Sequence, residues 1–316
     1  MENNKVSIVI CHFTGDLIDR CLKSLEQIKT EKIVVTSSYL FHHHPSTTLT
    51  LIYPNNPALK RNKGVFFSAG EYIVFLDDDV EVEEDCIIQM AYYLDRNSDV
   101  GMVYATLYKM DNHDKLDTSG SFFTWCGFLN ETYERRTEAI PILSGKSACC
   151  MVRKDIFDEV GGFDEDFVIY GEETDLSWRI WLAGYKVMVL PWAIAYHAFE
   201  TSLKPRSYYN QYFIHYHGCK NYLTMLIKNL PARKLYIVGI NAFLWFIMGC
   251  ALWLRNRQGG RWIFKGLLYN IRNFGYLWSK RSKVKRYSNN FPKNKNPSLF
   301  YYFERFKDYL IHRLHG

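Results

Sequence analysis

Hydrophobic residues in the first third of the chain follow two alternating spacings. Short runs of adjacent apolar residues, typical of buried strands, alternate with stretches such as Leu17 to Leu25, where apolar residues recur every three or four positions. This alternation predicts βαβ units and therefore an α/β fold built on a largely parallel sheet. The predicted strands are residues 6–11, 32–36, 49–53, 72–76 and 100–105.

Three consecutive aspartates, Asp77 to Asp79, follow the fourth of these strands. Strand alternation directs Asp77 and Asp79 to one side and Asp78 to the other. Open α/β sheets bind ligands at the carboxyl ends of their strands, and a divalent cation there would relieve the repulsion between these carboxylates. The alternative is a helix N-terminus, where Asp79 and the glutamates after it would simply favour the positive end of the helix dipole.

A second acidic cluster, Glu172 to Asp175, precedes a helical pattern that ends near Gly184. Leu176, Ile180 and Ala183 recur on one face of this predicted helix. Acidic residues at a helix start are stabilised by the dipole, so this cluster alone has a structural explanation. Two such clusters on one α/β domain favour a functional site.

Charge divides the 316 residues into two regions. Residues 1–200 carry 18 Lys and Arg against 31 Asp and Glu, a net charge of −13, whereas residues 201–316 carry 21 against 2, a net charge of +19. We therefore predict an acidic α/β domain over 1–200 and a basic, aromatic, helical region over 201–316. The eight cysteines have no C-x-x-C spacing and no secretory signal follows Met1, so a reduced, cytosolic compartment is expected.

The basic region contains a stretch suited to a membrane surface. Residues 235–254 carry no charge, and the arginines and lysines that follow alternate with Trp262, Phe264 and Leu268. This composition is typical of a helix lying in a membrane interface. A polybasic run from Lys280 to Arg286 would suit anionic lipid headgroups. Because a single span would place the basic tail outside, we expect peripheral, monotopic or hairpin-like attachment to the cytoplasmic face of the cell membrane.

The order of several short motifs resembles that of family 2 glycosyltransferases over roughly residues 5–230. The resemblance implies a GT-A fold, which is a Rossmann-like domain for nucleotide-diphospho-sugars, followed here by the helical, membrane-associating region. It also implies an inverting transfer. The motifs are Val6-Ser7-Ile8-Val9-Ile10, Arg61-Asn62-Lys63-Gly64, Asp77-Asp78-Asp79, Gly161-Gly162-Phe163-Asp164-Glu165 and Glu172-Glu173-Thr174-Asp175-Leu176.

The resemblance implies a metal and donor site at the first acidic cluster. Asp79 would be the direct metal ligand, Asp77 would bind the metal or the donor ribose, and Asp78 would bind the donor nearby. His197 occupies the place where family members often add a histidine ligand, although a lone histidine is more often structural. A bound Mg²⁺ or Mn²⁺ would neutralise the charge that grows on the diphosphate leaving group.

The second acidic cluster would supply the general base. An acceptor hydroxyl is too weakly acidic to attack unaided, and Glu173 is expected to take its proton, with Asp175 as the alternative. Family members more often have Glu-Asp where this chain has Glu172-Glu173. Glu172 and Trp178 are expected on the acceptor side.

Further donor contacts are expected from the start of the helix that precedes the fourth strand. Arg61 and Lys60 could pair with phosphate, although a solvated helix face is an equal alternative, and Asn62 is assigned to the donor beside them. Family members usually end the second strand with an aspartate that contacts the nucleobase, whereas this chain has Thr36 and Ser37. The hydroxyl of Thr36 or Ser37 would therefore have to contact the nucleobase.

The resulting hypothesis is a glycosyltransferase that uses a nucleotide-diphosphate sugar and a lipid-linked or growing glycan acceptor in cell-surface polysaccharide synthesis. Rhamnosyl- and galactofuranosyltransferases are the closest analogues. One alternative is a nucleic-acid-binding protein that uses the basic aromatic region, but the uncharged segment 235–254 argues against a nucleic-acid partner. Another is an inactive glycan-binding scaffold, which the retention of both acidic clusters disfavours. Adjacent His42, His43 and His44 cannot easily converge on one ion and are expected in a solvated loop.

Overall fold

A mixed β-sheet flanked by helices forms the centre of the computed structural model, which describes residues 5–13, 17–38, 44–198, 212–255 and 257–288. Strands β8 and β9 pair with each other, and the remaining strands join the main sheet. The strands are β1 (Val6–His12), β2 (Glu31–Thr36), β3 (Leu49–Ile52), β4 (Tyr72–Asp77), β5 (Val80–Val82), β6 (Val100–Lys109), β7 (Asn112–Thr118), β8 (Ser121–Phe123), β9 (Leu129–Glu131), β10 (Ile140–Pro141), β11 (Cys149–Arg153) and β12 (Lys186–His197).

The helices confirm both the α/β alternation and the helical character of the basic region. Five belong to the first 200 residues and the others follow residue 211. They are α1 (Leu17–Ser24), α2 (Pro57–Phe67), α3 (Cys86–Arg96), α4 (Lys154–Glu159), α5 (Glu172–Leu182), α6 (Gly218–Asn229), α7 (Tyr236–Arg255), α8 (Arg257–Arg272) and α9 (Phe274–Lys283).

Strands β3, β2, β1 and β4 are parallel neighbours. The sheet continues through β11, which is antiparallel to β4 and β6, and then to β12, which is parallel to β6. Hydrophobic clusters cover both faces, and this two-sided burial explains why residues 73–76 are apolar without alternation. The register pairs Cys11 with Asp77 and His12 with Thr36, so β1, β2 and β4 end at the same edge.

The three aspartates end a strand and do not begin a helix. Asp77 is the last residue of β4, Asp78 and Asp79 form a turn, and β5 follows at once. Strand β5 pairs antiparallel with residues 195–197 of β12, so the backbone is extended where the alternative required a helix. Helix α3 begins only at Cys86. The helix-N-terminus explanation of this cluster is therefore wrong.

Local signals fix the start of the helix that carries Lys60 and Arg61. The side chain of Asn56 accepts a hydrogen bond from the Leu59 N–H at 3.2 Å, and Pro57 occupies the first helical position. The next turn of α2 then lies against the ends of β1 and β2. Lys60 and Arg61 are buried there, at 0% and 3% exposure.

The helices of the basic region pack on one another and on the α/β domain. Helices α7 and α8 approach closely, since a Cβ on Gly260 would lie 2.6 Å from the carbonyl oxygen of Gly249. Asn241 of α7 is fully buried and donates to the Cys126 carbonyl at 3.0 Å. The predicted boundary at residue 200, like His42 and His43, lies outside the described residues and stays a prediction.

Helix α7 lies within a candidate membrane-spanning stretch. Within the described ranges, one helical stretch, Ala232–Arg255, is long and apolar enough to cross a membrane by length and composition. Only 33% of its most apolar window is buried inside the protein. Most of this surface therefore has no protein cover from the described residues.

The polybasic run after α8 is largely bound to protein. Lys280 lies 2.6 Å from Asp164 and 2.6 Å from Asp166. Arg281 and Arg286 donate to backbone carbonyl groups at the end of α6. These three basic residues therefore have protein partners, and contact of the run with anionic lipid stays a prediction.

Candidate functional site

The three aspartates at the end of β4 point in three different directions. Arg61 of α2 donates to Asp77 at 2.9 Å. Asp79 faces β12, where Nε2 of His197 lies 3.4 Å from its Oδ1. Asp78 turns instead toward the end of β1. Asp77 thus pairs with Arg61, whereas Asp79 faces His197.

Arg61 joins the two acidic clusters. Its Nη2 donates to Asp77 and its Nη1 donates to Glu172 at 3.0 Å. Burial opposes the charge of Arg61, but Asp77 and Glu172 raise its pKa well above the usual value. Glu172, predicted on the acceptor side, is 5% exposed and contacts this arginine instead. The predicted contact between Arg61 and donor phosphate stays a prediction.

Asp78 lies at the carboxyl end of β1. It accepts a hydrogen bond from the Phe13 N–H at 2.9 Å, and Nε2 of His12 lies 3.8 Å away. Burial raises the pKa of Asp78 to about 7; the charges of Asp77 and Asp79 add to the increase, whereas the Phe13 hydrogen bond opposes it. Asp78 is therefore held by the backbone next to Asp77 and Asp79.

Lys60 and Thr36 support the strand ends from inside the protein. Lys60 donates to the His12 carbonyl at 2.7 Å and to Ser37 Oγ at 3.2 Å. The hydroxyl of Thr36 lies 2.8 Å from His12 Nδ1 and accepts from the Ser38 N–H at 3.0 Å. Both side chains are fully buried. The structure therefore does not place Lys60 at the protein surface for the predicted phosphate contact, or Thr36 there for the predicted nucleobase contact.

His197 lies between two carboxylates. Its Nδ1 lies 2.8 Å from Asp117 Oδ2, and its Nε2 faces Asp79. Lys146 pairs with the other oxygen of Asp117 at 2.8 Å. Burial disfavours the charged imidazole, but the hydrogen bonds to Asp117 and Asp79 raise the pKa of His197 to about 9. Sequence reasoning missed Asp117, because nothing in the polar strand β7 distinguishes it from its neighbours.

Asp79 and His197 fit a divalent cation by their ligand chemistry. Two ligand atoms each about 2.1 Å from one ion can lie 3.4 Å apart. Asp117 orients the imidazole in the way that outer carboxylates orient metal-binding histidines. Within the part of the chain that the structure describes, no three His, Cys, Asp or Glu side chains are arranged to hold an ion. Water and substrate phosphates would complete the coordination, as is usual for Mg²⁺.

Glu173 lies in the first turn of α5 with part of its surface exposed. The Thr174 hydroxyl donates to its Oε1 at 3.3 Å, and Ser144 Oγ lies 3.0 Å from that hydroxyl. Burial raises the pKa of Glu173 well above the usual value, and the charge of Glu172 adds to the increase. A raised pKa makes the ionised carboxylate a stronger base, which suits the deprotonation of a hydroxyl.

Asp175 and Trp178 face the protein interior. Asp175 has no exposed surface and pairs with Arg179 at 2.9 Å and with Lys228 at 3.0 Å. Burial opposes its ionisation, but Lys228 and Arg179 lower the pKa of Asp175. Trp178 is 2% exposed and packs against Phe123, with ring centroids 4.5 Å apart. Neither the alternative base nor the acceptor-side tryptophan is at the protein surface in this structure, and both assignments stay predictions.

Asn62 joins two of the sequence motifs. Its Nδ2 donates to the Phe163 carbonyl at 2.9 Å and to Glu165 Oε1 at 3.0 Å. Its Oδ1 accepts from the Phe163 N–H at 2.9 Å. The side chain assigned to the donor therefore ties α2 to the segment that contains Gly161 and Gly162.

Comparison with known proteins gives a family match and several partial relatives. A model of glycosyl transferase family group 2 matches residues 72–278. The O-antigen biosynthesis protein RfbC of Myxococcus xanthus is 27% identical over 153 residues, which cover 44% of this chain and 12% of that protein. The N-acetylglucosaminyl-diphospho-decaprenol L-rhamnosyltransferase of Mycobacterium tuberculosis (strain CDC 1551 / Oshkosh) is 35% identical over 83 residues, 26% of each chain. The chain thus spans about a quarter or less of these relatives' lengths.

A solved structure extends the likeness to the whole fold. The mannosyltransferase PcManGT from Pyrobaculum calidifontis, in complex with GDP-Man and Mn²⁺, aligns with a TM-score of 0.53 at 13% identity. The alignment covers 84% of this chain and 87% of that chain. It confirms the predicted fold.

Proposed function

Because this chain belongs to glycosyl transferase family group 2, we propose that it moves a sugar from a nucleoside-diphosphate donor to a hydroxyl acceptor with inversion. One observation carries the proposal: Arg61 binds Asp77 and Glu172 at once, so the two acidic clusters lie side by side and would line one cleft for donor and acceptor. A donor at one cluster and an acceptor at the other would then meet. The family match does not favour the nucleic-acid-binding alternative.

The donor diphosphate belongs at the Asp79 and His197 end of the cleft. A bound Mg²⁺ or Mn²⁺ would neutralise the charge that develops on the departing diphosphate. Asp79 and His197 would hold the ion, and Asp117 would keep the imidazole oriented. Asp77 would stay bound to Arg61 beside the donor ribose. The Mn²⁺ bound with GDP-Man in PcManGT supports this assignment.

Glu173 would act as the general base. It lies next to Glu172, which Arg61 holds toward the donor end, and part of its surface is open to the cleft. The acceptor hydroxyl would give its proton to this carboxylate as the new glycosidic bond forms on the face opposite the departing diphosphate. The Thr174 and Ser144 hydroxyls would orient Glu173 for that task.

The acceptor would be lipid-linked or a growing glycan of a cell-surface polysaccharide. The named activities of the rhamnosyltransferase and the O-antigen protein support this class of acceptor. The surface of α7 and α8 supports it independently, because Phe243, Leu254 and Ile271 are 61%, 89% and 72% exposed. Residues 212–288 contain no Asp or Glu, so exposed Arg257, Arg261 and Lys265 would complement an anionic cytoplasmic leaflet.

A donor screen tests the function. Nucleotide sugars would be tested by thermal shift with and without Mn²⁺, followed by measurement of nucleoside diphosphate release for each donor that binds. We expect binding and turnover to require the metal and to be lost in Asp79→Ala and in His197→Ala. Full turnover in both folded variants would contradict the metal assignment. Donor binding without any turnover on lipid-linked or glycan acceptors would favour the inactive scaffold.

A further inference from the structure

The backbone immediately before the acidic turn of α5 is strained. Val168 and Tyr170 have φ angles of 54° and 67°, and they are the only non-glycine residues with positive φ among those described. For a β-branched residue such as Val168 this conformation is a genuine outlier. Strained backbone of this kind persists only where the surroundings hold it.

Asn221 of the basic region makes three contacts with the backbone of this loop. Nδ2 of Asn221, on α6, lies 2.8, 2.6 and 2.7 Å from the carbonyl oxygens of Phe167, Ile169 and Tyr170. Asn221 is 1% exposed, so water does not compete for these contacts. The preceding Lys220 donates to the Asp166 carbonyl. The loop therefore keeps its conformation against α6.

Ion pairs fix α6 relative to α5 at the other end of the same helix. Lys228 contacts both Asp164 and Asp175, and Asn229 donates to Asp175 at 2.8 Å. Asp175 is on α5, one turn or less after Glu173. Helix α6 thus contacts both the loop before Glu173 and the helix that carries it.

The opposite face of α6 packs on the exposed hairpin of α7 and α8. Cys219 and Leu223 form a buried cluster with Trp245 and Met248 of α7 and Ile263 of α8. Helix α6 therefore lies between the candidate lipid-facing surface and the candidate base.

We propose that Asn221 is a positioning residue for Glu173. It holds residues 167–170 in the strained conformation that starts α5 at Glu172 and directs the Glu173 carboxylate into the cleft. The basic helical region is then part of the catalytic unit as well as a means of attachment. This inference rests on the proposed function, specifically on Glu173 as the base.

The test compares Asn221→Ala with Asn241→Ala. Asn241 is a matched control, because it is also a buried asparagine that donates to a backbone carbonyl, in a loop that does not precede Glu173. Turnover would be measured as metal-dependent hydrolysis of the donor found in the screen, and donor affinity by calorimetry. We expect Asn221→Ala to lower kcat at least tenfold with donor KM and affinity within twofold of wild type. Asn241→Ala should lower thermal stability without that selective loss of kcat.

Val168→Gly supplies a second test if Asn221→Ala folds poorly. Glycine accepts positive φ without strain, so this variant should be no less stable than wild type while its loop loses rigidity. We expect lower kcat at unchanged stability, which a purely structural role would not produce. Unchanged kcat in Val168→Gly, or equal kcat in Asn221→Ala and Asn241→Ala, would overturn the positioning role.

Glu173→Gln separates failure of this inference from failure of the proposed function. If Glu173→Gln retains turnover, Glu173 is not the base and the proposed mechanism itself fails. If Glu173→Gln is inactive but Asn221→Ala and Val168→Gly both retain full kcat, the base assignment stands and only the positioning role of Asn221 is overturned.

Discussion

Arg61 and Glu172 lie 111 positions apart in the sequence and form a buried ion pair, with 3.0 Å between Nη1 and Oε1. The other terminal nitrogen of Arg61 binds Asp77. One guanidinium therefore compensates carboxylates from both acidic clusters. The planar fork of arginine suits this double contact, which the single ammonium of a lysine could not reproduce.

Replacing Arg61 should destabilise the protein strongly. In Arg61→Met, Glu172 and Asp77 lose their shared cation, and breaking a buried ion pair on one side costs about 3–5 kcal/mol. Urea unfolding followed by fluorescence measures the loss. Arg20→Met is the matched control, because Arg20 forms an exposed pair with Glu81 that should contribute about 1 kcal/mol or less. Equal stability of the two variants would contradict the bridging role.

Replacing Glu173 and replacing Asp175 on α5 should have different effects, one on turnover and the other on stability. Glu173→Gln should lower turnover by about 10² to 10⁴-fold, the usual contribution of a general base, with donor affinity unchanged. Asp175→Asn should instead lower the free energy of unfolding, because Lys228 and Arg179 lose a charged partner. Steady-state kinetics and urea unfolding of both variants distinguish these outcomes. Loss of turnover in a stable Asp175→Asn would return the base role to Asp175.

Asp117 should control metal affinity without contacting the ion. In Asp117→Asn the imidazole of His197 loses its orienting carboxylate, and such outer partners typically contribute about 10–100-fold in metal affinity. The Mn²⁺ concentration that gives half-maximal turnover should rise accordingly. Asp114→Asn, a fully exposed neighbour on the same strand, should leave it unchanged. An unchanged Mn²⁺ requirement in Asp117→Asn would contradict His197 as a ligand.

The Lys228 ion pairs should make stability depend on acid pH. Burial opposes ionisation of Asp164 and Asp175, but Lys228 lowers the pKa of both below the ordinary value of 3.8. Folded pKa values below the unfolded ones mean that this stabilisation is present above about pH 4 and is lost as pH falls further.

We therefore expect the difference in unfolding free energy between wild type and Lys228→Met to be largest near neutral pH and to shrink toward pH 2. Urea unfolding across this range measures the difference. Lys186→Met, which removes an exposed pair with Asp99, should show a small difference at every pH. A constant difference for Lys228→Met would show that lost packing, and not charge pairing, destabilises the variant.

The exposed face of α7 should bind anionic vesicles. Burial of one large apolar side chain contributes about 1.5–3 kcal/mol, so Leu254→Asp or Phe243→Asp should weaken partition onto phosphatidylglycerol vesicles by at least about tenfold. Co-sedimentation measures this partition. Phe66→Asp is the control, because Phe66 is 77% exposed on α2, away from the hairpin. Equal partition of all three variants would contradict attachment through α7.

The polar–apolar pattern was sufficient to predict β1, β2, β3, β4 and β6, but not β7 and β12, which carry Asp117 and His197. Residues 73–76 read as buried on both faces, and the structure confirms it, because covering a parallel sheet with helices leaves no polar side. The start of α5 at Glu172 and the glycine after its end were also local signals, since both depend on the first and last turns of one helix. The predicted and observed ends of α5 agree because each depends on interactions that span only a few residues.

Pairing between distant charges could not be predicted in this way. Asp175 and Glu173 are equivalent acidic residues in one helical turn, yet Asp175 is fully buried against Lys228 of α6 whereas Glu173 keeps part of its surface exposed. Lys228 itself follows the apolar residues Met225 to Ile227, where a buried lysine signals a buried partner without identifying it. Only the packing of α6 on α5 decides which aspartate it pairs with.

The sequence by itself determined the α/β fold, the strand end at Asp77 and the helix start at Glu172, because these depend on periodicity and on local backbone propensity. The tertiary structure decided how the charges are used: Arg61 joins the acidic clusters, Lys280 and Arg281 bind protein, and Asn221 holds the loop before Glu173. The physical reason is that an ion pair or a buried hydrogen bond depends on distance in space. Sequence spacing carries no information about contacts that form only when helices and sheet pack together.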